Sequence, residues 1–480
     1  MCVAGLCAAQ DPEFAPRPNV TSILVGAASV ESADLDGDGD LDFLVATGNS
    51  GSIVWFENDG NTNPAFPVMH VIDNLVINAA HASSADIDGD GDLDVMASVR
   101  GITPTSVTWY ENVGGMPAVF ETRTLGGLPA GDIGQRVNAA RAADLDHDGD
   151  TDVVVAFYAN AGSSQGHVVW YRNNGQPIPA FTAIPLNAPT VTLENVSDLQ
   201  VADLNLSGSQ DVIAVSETPG TSSGRNRVVW WRSSGGGNPN FQFQSIDSTL
   251  VDPVSVTVAN LAGSTEPDIA VAAAGSDRIS VFRNNGGFAP SFTNVVNIIL
   301  NDPRSVISMD IDSDGDMDLA AGLGAGTDAV LLENTSFLTP IFQTRPLGAA
   351  QGACAAITAG DISQNGRVDL GAIFPNAGRL DWFEQVRPIE NLTTTDLSST
   401  FADAVSAATS GQTLLIPAER LSQDPTILLN GKALALVSDD AFILGQDSRL
   451  LLADNATLNA ANNRPCLLYT SPSPRDQAKS

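Results

Sequence analysis

The sequence predicts an all-β protein, a seven-bladed β-propeller followed by a short second β region. Three observations carry this. One set of anchors recurs seven times in fixed order, each copy is only about 50 residues long, and each holds four brief apolar runs divided by Gly, Asn and Asp.

The first anchor is a Phe that opens a strand: Phe14, Phe66, Phe120, Phe181, Phe241, Phe292 and Phe342. The second is a loop starting at Asp34, Asp86, Asp144, Asp203, Asn260, Asp310 and Asp361, and the third falls at Trp55, Trp109, Trp170, Trp230, Val281, Leu331 and Trp382. From Asp34 to Asp361 the six intervals average 54.5 residues, and every measurable step from the third anchor to the next Phe is 11 residues. Runs such as Leu41 to Ala46 (LDFLVA) and Ser52 to Glu57 (SIVWFE) read as strands. Four strands of this length cannot cover both faces of their own sheet, and a single copy is too short for a sandwich. Radial stacking solves the burial problem, so seven copies imply seven blades. All six Trp, counting Trp231, fall in the third segment, and that regularity reads as packing between blades. Phe14 has no preceding partner, while the position 11 residues after Trp382 is Thr393. The segment near Phe14 to Ser22 is therefore expected to complete the last blade from outside, where Pro16 and Pro18 are tolerated.

Four of the loops carry five Asp each: Asp34, Asp36, Asp38, Asp40, Asp42; Asp86, Asp88, Asp90, Asp92, Asp94; Asp144, Asp146, Asp148, Asp150, Asp152; and Asp310, Asp312, Asp314, Asp316, Asp318. In DLDGDGDLD, side-chain oxygens at positions 1, 3, 5 and 9 and the backbone carbonyl at position 7 supply the hard oxygen ligands that calcium takes. Twenty of the 56 acidic residues sit in these clusters, which repel themselves without a cation. The loops at Asp203 and Asp361 lose carboxylates, and the loop at Asn260 has Ala262 in place of a ligand and is expected to be empty.

DxDxDGxxD loops followed by a W-[FY]-E-N strand resemble the FG-GAP/VCBS repeat family, whose relatives include the propeller headpiece of integrin α subunits. The resemblance covers roughly residues 12–388 and implies calcium on one face of the propeller. It also implies a role in adhesion, assembly or polysaccharide recognition, with some members appended to enzymes.

A formal charge of −34 disfavours nucleic acid and anionic lipid as partners. Four scattered Cys and four His at no ligand spacing argue against a disulfide framework, a zinc cage or a His-based catalytic centre, and Asp side chains committed to a cation are poor proton carriers. The chain is expected to be non-enzymatic, with an extracellular or cell-surface location where calcium is abundant. No apolar run approaches 18 residues, so no membrane span is expected. Residues 1–10 are short for a signal peptide and lack a basic start.

The pattern changes past Trp382. Residues 389–465 hold a helix-like stretch at 401–408 and strand-like runs at 411–417, 427–436 and 449–453; they resemble the start of a parallel β-helix, or equally a linker with a small β appendage. Residues 466–480 end in LLYTSPSPRDQAKS, which resembles translated sequencing-adaptor text, and are expected to be non-native.

The function expected is that of a calcium-stabilised binding or adhesion propeller. The alternative is a substrate-targeting module of a larger polysaccharide-acting β-helix enzyme. Loop lengths place a protein or glycan ligand on the face opposite the calcium loops: from loop start to third anchor the interval is 21 residues in copies one, five, six and seven, but 23, 26 and 27 in copies two, three and four. The surplus lies near 101–106, 126–136, 158–166 and 217–227, with Arg136, Tyr158, Arg225 and Arg227 as contact candidates.

Overall fold

The computed structural model describes residues 13–386 except 49–50, 62, 77, 100–105, 128–135, 159–166, 187–192, 194, 218–225, 264, 325–328, 337 and 349–351, and beyond 386 only strand segments up to residue 460. The first of its two compact units is an all-β seven-bladed propeller. Six blades are four-stranded antiparallel meanders, and the seventh takes its outer strand from the start of the chain. The inner strands are Ser29–Ala33, Ala79–Ala85, Arg136–Ala143, Asn195–Ala202, Pro253–Ala259, Pro303–Met309 and Ala356–Gly360. They are rich in Ala and Ser because seven strands converge on one axis, where bulky side chains would collide.

Second strands such as Asp42–Ala46, Asp211–Glu217 and Asp268–Ala273 are buried almost throughout. Both of their faces meet a neighbouring blade, so they read as continuous apolar runs rather than as alternating ones. The third strands carry the Trp anchors. Every Trp is buried, and each hydrophobic cluster joins two consecutive blades: Trp55 packs with Ala82 and Val95, and Trp170 with Val196 and Trp231. The Phe anchor of one blade meets the Trp anchor of the blade before it, as in Trp170–Phe241 at 5.8 Å and Trp230–Phe292 at 6.0 Å between ring centroids. The Phe anchors thus fill wedges between blades, which explains their constant offset.

The ring closes as the anchor spacing predicts. The sheet of the last blade runs Glu13–Pro16, Arg379–Val386, Asp369–Phe374, Ala356–Gly360. The amides of Val20 and Leu24 donate to the carbonyls of Leu380 (2.9 Å) and Gly378 (2.7 Å), and Arg17 pairs with Glu384. On the axial side, Ser32 of the first blade bonds Thr358 and Ala359 of the seventh. Gly371 is needed at this junction, since a Cβ there would lie 2.4 Å from the Phe43 ring.

One feature departs from seven separate sheets. Tyr158 pairs with Asn195, which fuses the third and fourth blades into one eight-stranded sheet. Comparable backbone bonds cross three further junctions, from the Gly48 amide to the Ala79 carbonyl (3.0 Å), from the Cys354 amide to the Leu323 carbonyl (2.8 Å) and from the Gly26 amide to the Pro375 carbonyl (3.1 Å).

The second unit contains strands Thr413–Ile416, Ala433–Ser438 and Thr457–Ala460 in one parallel ladder, and Thr426–Asn430 with Arg449–Ala453 in another. Leu414 pairs with Leu436 and Leu434 with Leu458, offsets of 22 and 24 residues. The helix expected at 401–408 and the tail at 466–480 lie outside the described residues. Among the described residues no helix is long and apolar enough to cross a membrane.

Candidate metal centres

Each Asp loop joins the inner strand of a blade to the second strand, so all seven open on one face of the ring. They share one backbone feature in every blade. The fourth loop residue is left-handed throughout, with φ of 73, 79, 59, 53, 68, 58 and 54° at Gly37, Gly89, His147, Leu206, Gly263, Ser313 and Gln364. Non-glycine residues accept this conformation at a cost, which places the constraint in the turn itself and not in any one side chain.

In the first three loops two Asp build the turn before any ion is considered. Asp34 accepts the amides of Gly37 (2.8 Å) and Gly39 (3.1 Å), and Asp86 accepts those of Gly89 and Gly91. The ninth-position carboxylate is a buried clip: Asp42 Oδ2 accepts the Leu35 amide (3.0 Å) and Oδ1 the Asn58 amide (2.9 Å). Asp94, Asp152, Asp211, Asp268 and Asp318 repeat this arrangement, including in loops whose other ligands are lost. Each such oxygen keeps a second lone pair that can face a cation. The clip residue then reaches the neighbouring blade: Asn112 Nδ2 donates to Leu35 O (2.9 Å), Asn173 Nδ2 to Ile87 O (3.1 Å), and Asn284 Nδ2 to Leu204 O (2.7 Å).

The structure brings together, with ligand oxygens within 4.8 Å of one another, Asp34, Asp36 and Asp42; Asp86, Asp88 and Asp90; Asp144, Asp146 and Asp152; Asp310, Asp312 and Asp318; and Asp312, Asp314 and Asp316. Asp38, Asp40, Asp92, Asp94, Asp148 and Asp150 stand outside these groups. The seventh position carries more than the backbone carbonyl expected of it. The Asp40 and Asp316 side chains are buried, and Gly60, at φ 62°, leaves room for the first, since a Cβ there would lie 2.7 Å from Asp40 Oδ2.

Buried oxygens without a partner mark these loops: Oδ1 of Asp36, Asp40, Asp146, Asp310 and Asp316. Such atoms are expensive unless something neutralises them. Burial first, and the neighbouring Asp carboxylates second, push the Asp40 pKa up to about 7. Burial likewise heads the causes that push Asp316 to about 7 and Asp42 to about 8. A set of hard, clustered, orphaned carboxylate oxygens on a preformed turn fits calcium. In the incomplete loops other contacts take over: Asn205 Nδ2 donates to Phe288 O (3.0 Å), Asn365 Nδ2 donates to Glu384 (3.3 Å), and the backbone amide of Ala262 donates to Asp268 (2.7 Å).

A second polar cluster was not legible in the sequence. A cavity of about 850 Å³ runs along the inner strands, and Glu31, His81, Ser84, Arg141 and Asp198 line it. Glu31 accepts the Ser84 hydroxyl at 2.8 Å; Arg141 reaches His81 Nε2 at 3.0 Å and Asp198 at 3.2 Å; Asp198 accepts the Val256 amide at 3.1 Å. A guanidinium only donates, so His81 Nε2 accepts and the ring proton sits on Nδ1. Burial first and Arg141 second hold the His81 pKa well below its ordinary value. These bonds cross from blade to blade, so the cluster laces the inner strands together. The available signal was polar residues in strands otherwise made of Ala, as in AAHASSA.

Of the expected ligand face, 101–105, 128–135, 159–166 and 218–225, including Arg225, lie outside the described residues. Arg136 pairs with Tyr158 in the third blade, and Arg227 Nη1 donates to the Asn226 carbonyl at 2.9 Å.

Residues 34–97, 86–155 and 144–214 match the FG-GAP-like repeat family. No curated protein sequence matches the chain. Among solved structures, a streptogramin B lyase is similar at 11% identity and a TM-score of 0.48, over 78% of this chain and 98% of that one. A selenomethionine-substituted virginiamycin B lyase from Staphylococcus aureus is similar at 11% identity and a TM-score of 0.47, over 78% and 100%.

Proposed function

We propose, from a seven-bladed propeller carrying FG-GAP-like repeats across residues 34–214, that the chain is a calcium-stabilised binding or adhesion module that works outside the cell or at its surface. The observation that supports this most is the set of buried, unpartnered carboxylate oxygens in the loops at Asp34, Asp144 and Asp310. Calcium would be held there by Asp34, Asp36, Asp40 and Asp42 and their counterparts, tying inner to second strand. Extracellular modules of this kind bind at about 10⁻⁴ to 10⁻³ M, so such loops fill outside cells and stay largely free of calcium in cytosol. The reading is non-catalytic, because carboxylates committed to an ion do not shuttle protons. The partner is a protein or acidic glycan bound on the face opposite the Asp loops, where the connections of blades two to four are longest.

The test is an acidic-glycan array and a surface-adhesion assay in millimolar calcium. Replacing 158–166 and 217–227 by the short first-blade connections should abolish retention while leaving folding and calcium uptake intact. Undiminished binding by that double graft would move the ligand elsewhere. A second reading, a targeting module for a polysaccharide-acting β-helix enzyme, is favoured by one observation: the parallel ladder of Thr413–Ile416, Ala433–Ser438 and Thr457–Ala460, whose paired residues lie 22 and 24 positions apart.

A further inference from the structure

The residue two places after the third anchor is Glu57, Glu111, Arg172, Arg232, Arg283, Glu333 and Glu384 in blades one to seven. Its sign splits the four fully acidic loops unequally. In blades one, two and six this residue is a carboxylate that adds to the negative field on Asp36, Asp88 and Asp312. Each of these glutamates is paired to a base of the fourth strand, His70, Arg123 or Arg345, and not to a base in the loop. In the third blade the same strand position sends a guanidinium into the loop. Arg172 Nη2 lies 2.6 Å from Asp146 Oδ2 and 3.7 Å from Asp148 Oδ2.

Two further contacts hold it there. The same nitrogen donates to the Gly237 carbonyl (3.1 Å) in the turn of the next blade, and the guanidinium carbon stands 5.9 Å from the Trp170 ring centroid. The fourth blade shows where such an arginine goes when it has an alternative. Arg232 lies over the Phe288 ring at 4.3 Å and donates to the Phe288 carbonyl at 3.3 Å. Phe288 and Gly237 occupy the same place in their turns, four residues after Asn284 and Ser233. Gly237 offers no ring, so Arg172 stays on the carboxylates.

We propose that Arg172 is the resident cation of the third Asp loop, and that a divalent ion enters this loop only by displacing it. This rests on the calcium reading above and divides its four sites into three strong ones and one weak one. An ion among Asp144, Asp146 and Asp152 meets a guanidinium already in contact with one of its ligands; two like charges at that range repel, and the loop has one positive charge fewer to accept. The third site then fills last and responds to calcium over a higher range than its neighbours.

Calcium titration calorimetry on the whole chain tests this, with melting curves to verify folding of each variant. The wild type should take up three ions in one affinity class and a fourth at least about tenfold more weakly. Arg172→Gln should bring the fourth ion into the strong class. The reverse change, Glu57→Arg, should leave two strong sites. Four equal sites in the wild type, or a weak site untouched by Arg172→Gln, would overturn this proposal and leave the calcium reading standing. A wild-type chain that takes up no calcium at all would overturn both.

Discussion

The amide of Arg17 donates to the carbonyl oxygen of Trp382 over 3.1 Å, so the start of the chain completes the blade built by the last repeat. The Arg17 side chain continues the seam by pairing with Glu384, and both are buried, 8% and 2% exposed. Arg17→Ala strands a carboxylate without its partner and should cost about 3–5 kcal/mol in chemical denaturation. Deleting residues 12–22 should lower stability further by opening the ring, and a truncated chain that melts like the intact one would contradict this closure.

Calcium should raise the melting temperature steeply between chelator and millimolar metal. A site filled to a hundred times its dissociation constant contributes about 2.7 kcal/mol. Asp314→Ala, in the loop that also holds Asp310, Asp312, Asp316 and Asp318, should remove one ion and leave the other loops nearly unchanged, because repeat arrays couple mainly to neighbours. Loss of several ions on this one substitution would show the loops to be coupled.

The metal-free protein should grow less stable as pH rises. Asp40, Asp42 and Asp316 have folded-state pKa values of about 7, 8 and 7 against 3.8 ordinarily. A raised pKa means that the folded state holds the proton more tightly. The stability it contributes is complete below about pH 4 and is lost as pH climbs through 7 to 8. Calcium favours the ionised form, so the gain in melting temperature on adding metal should widen from pH 5 to pH 8. A gain that narrows over that range would count against these carboxylates as ligands.

Asn173→Ala should destabilise the ring by about 1–3 kcal/mol at any calcium concentration, because it leaves the buried carbonyls of Ile87 and Thr151 without a donor. Equal losses in chelator and in calcium would identify the Asn clip as part of the scaffold. A loss seen only with calcium would place it in the metal site.

Blade number, closure and the direction of the Asp loops were legible because they follow from spacing: Phe14 without a partner and Thr393 in place of a Phe are visible in the text of the chain. The clip role of Asp42, Asp211 and Asp268 was half legible. The same residue type recurs in loops with and without other ligands, a hint that it serves the turn first. Arg172 on Asp146, and Arg141 between His81 and Asp198, were not legible, because each contact depends on which way a long side chain leaves its strand. Periodicity orders strands; it does not aim guanidinium groups.

Backbone links cross four blade junctions among the described residues, at Gly48–Ala79, Tyr158–Asn195, Leu323–Cys354 and Pro375–Gly26. Blades six, seven, one and two are stitched by main chain into one run, and three and four into another, while the fifth is joined to its neighbours by side chains among the described residues. Deuterium exchange in the native protein should therefore report openings that involve more than one blade at once, with the amides of Gly26, Gly48 and Cys354 slow to exchange despite lying at or beyond strand ends. The fifth blade, from Pro253 to Ile299, is then where the circle gives way first, and a protease cutting the native protein should find its earliest foothold there.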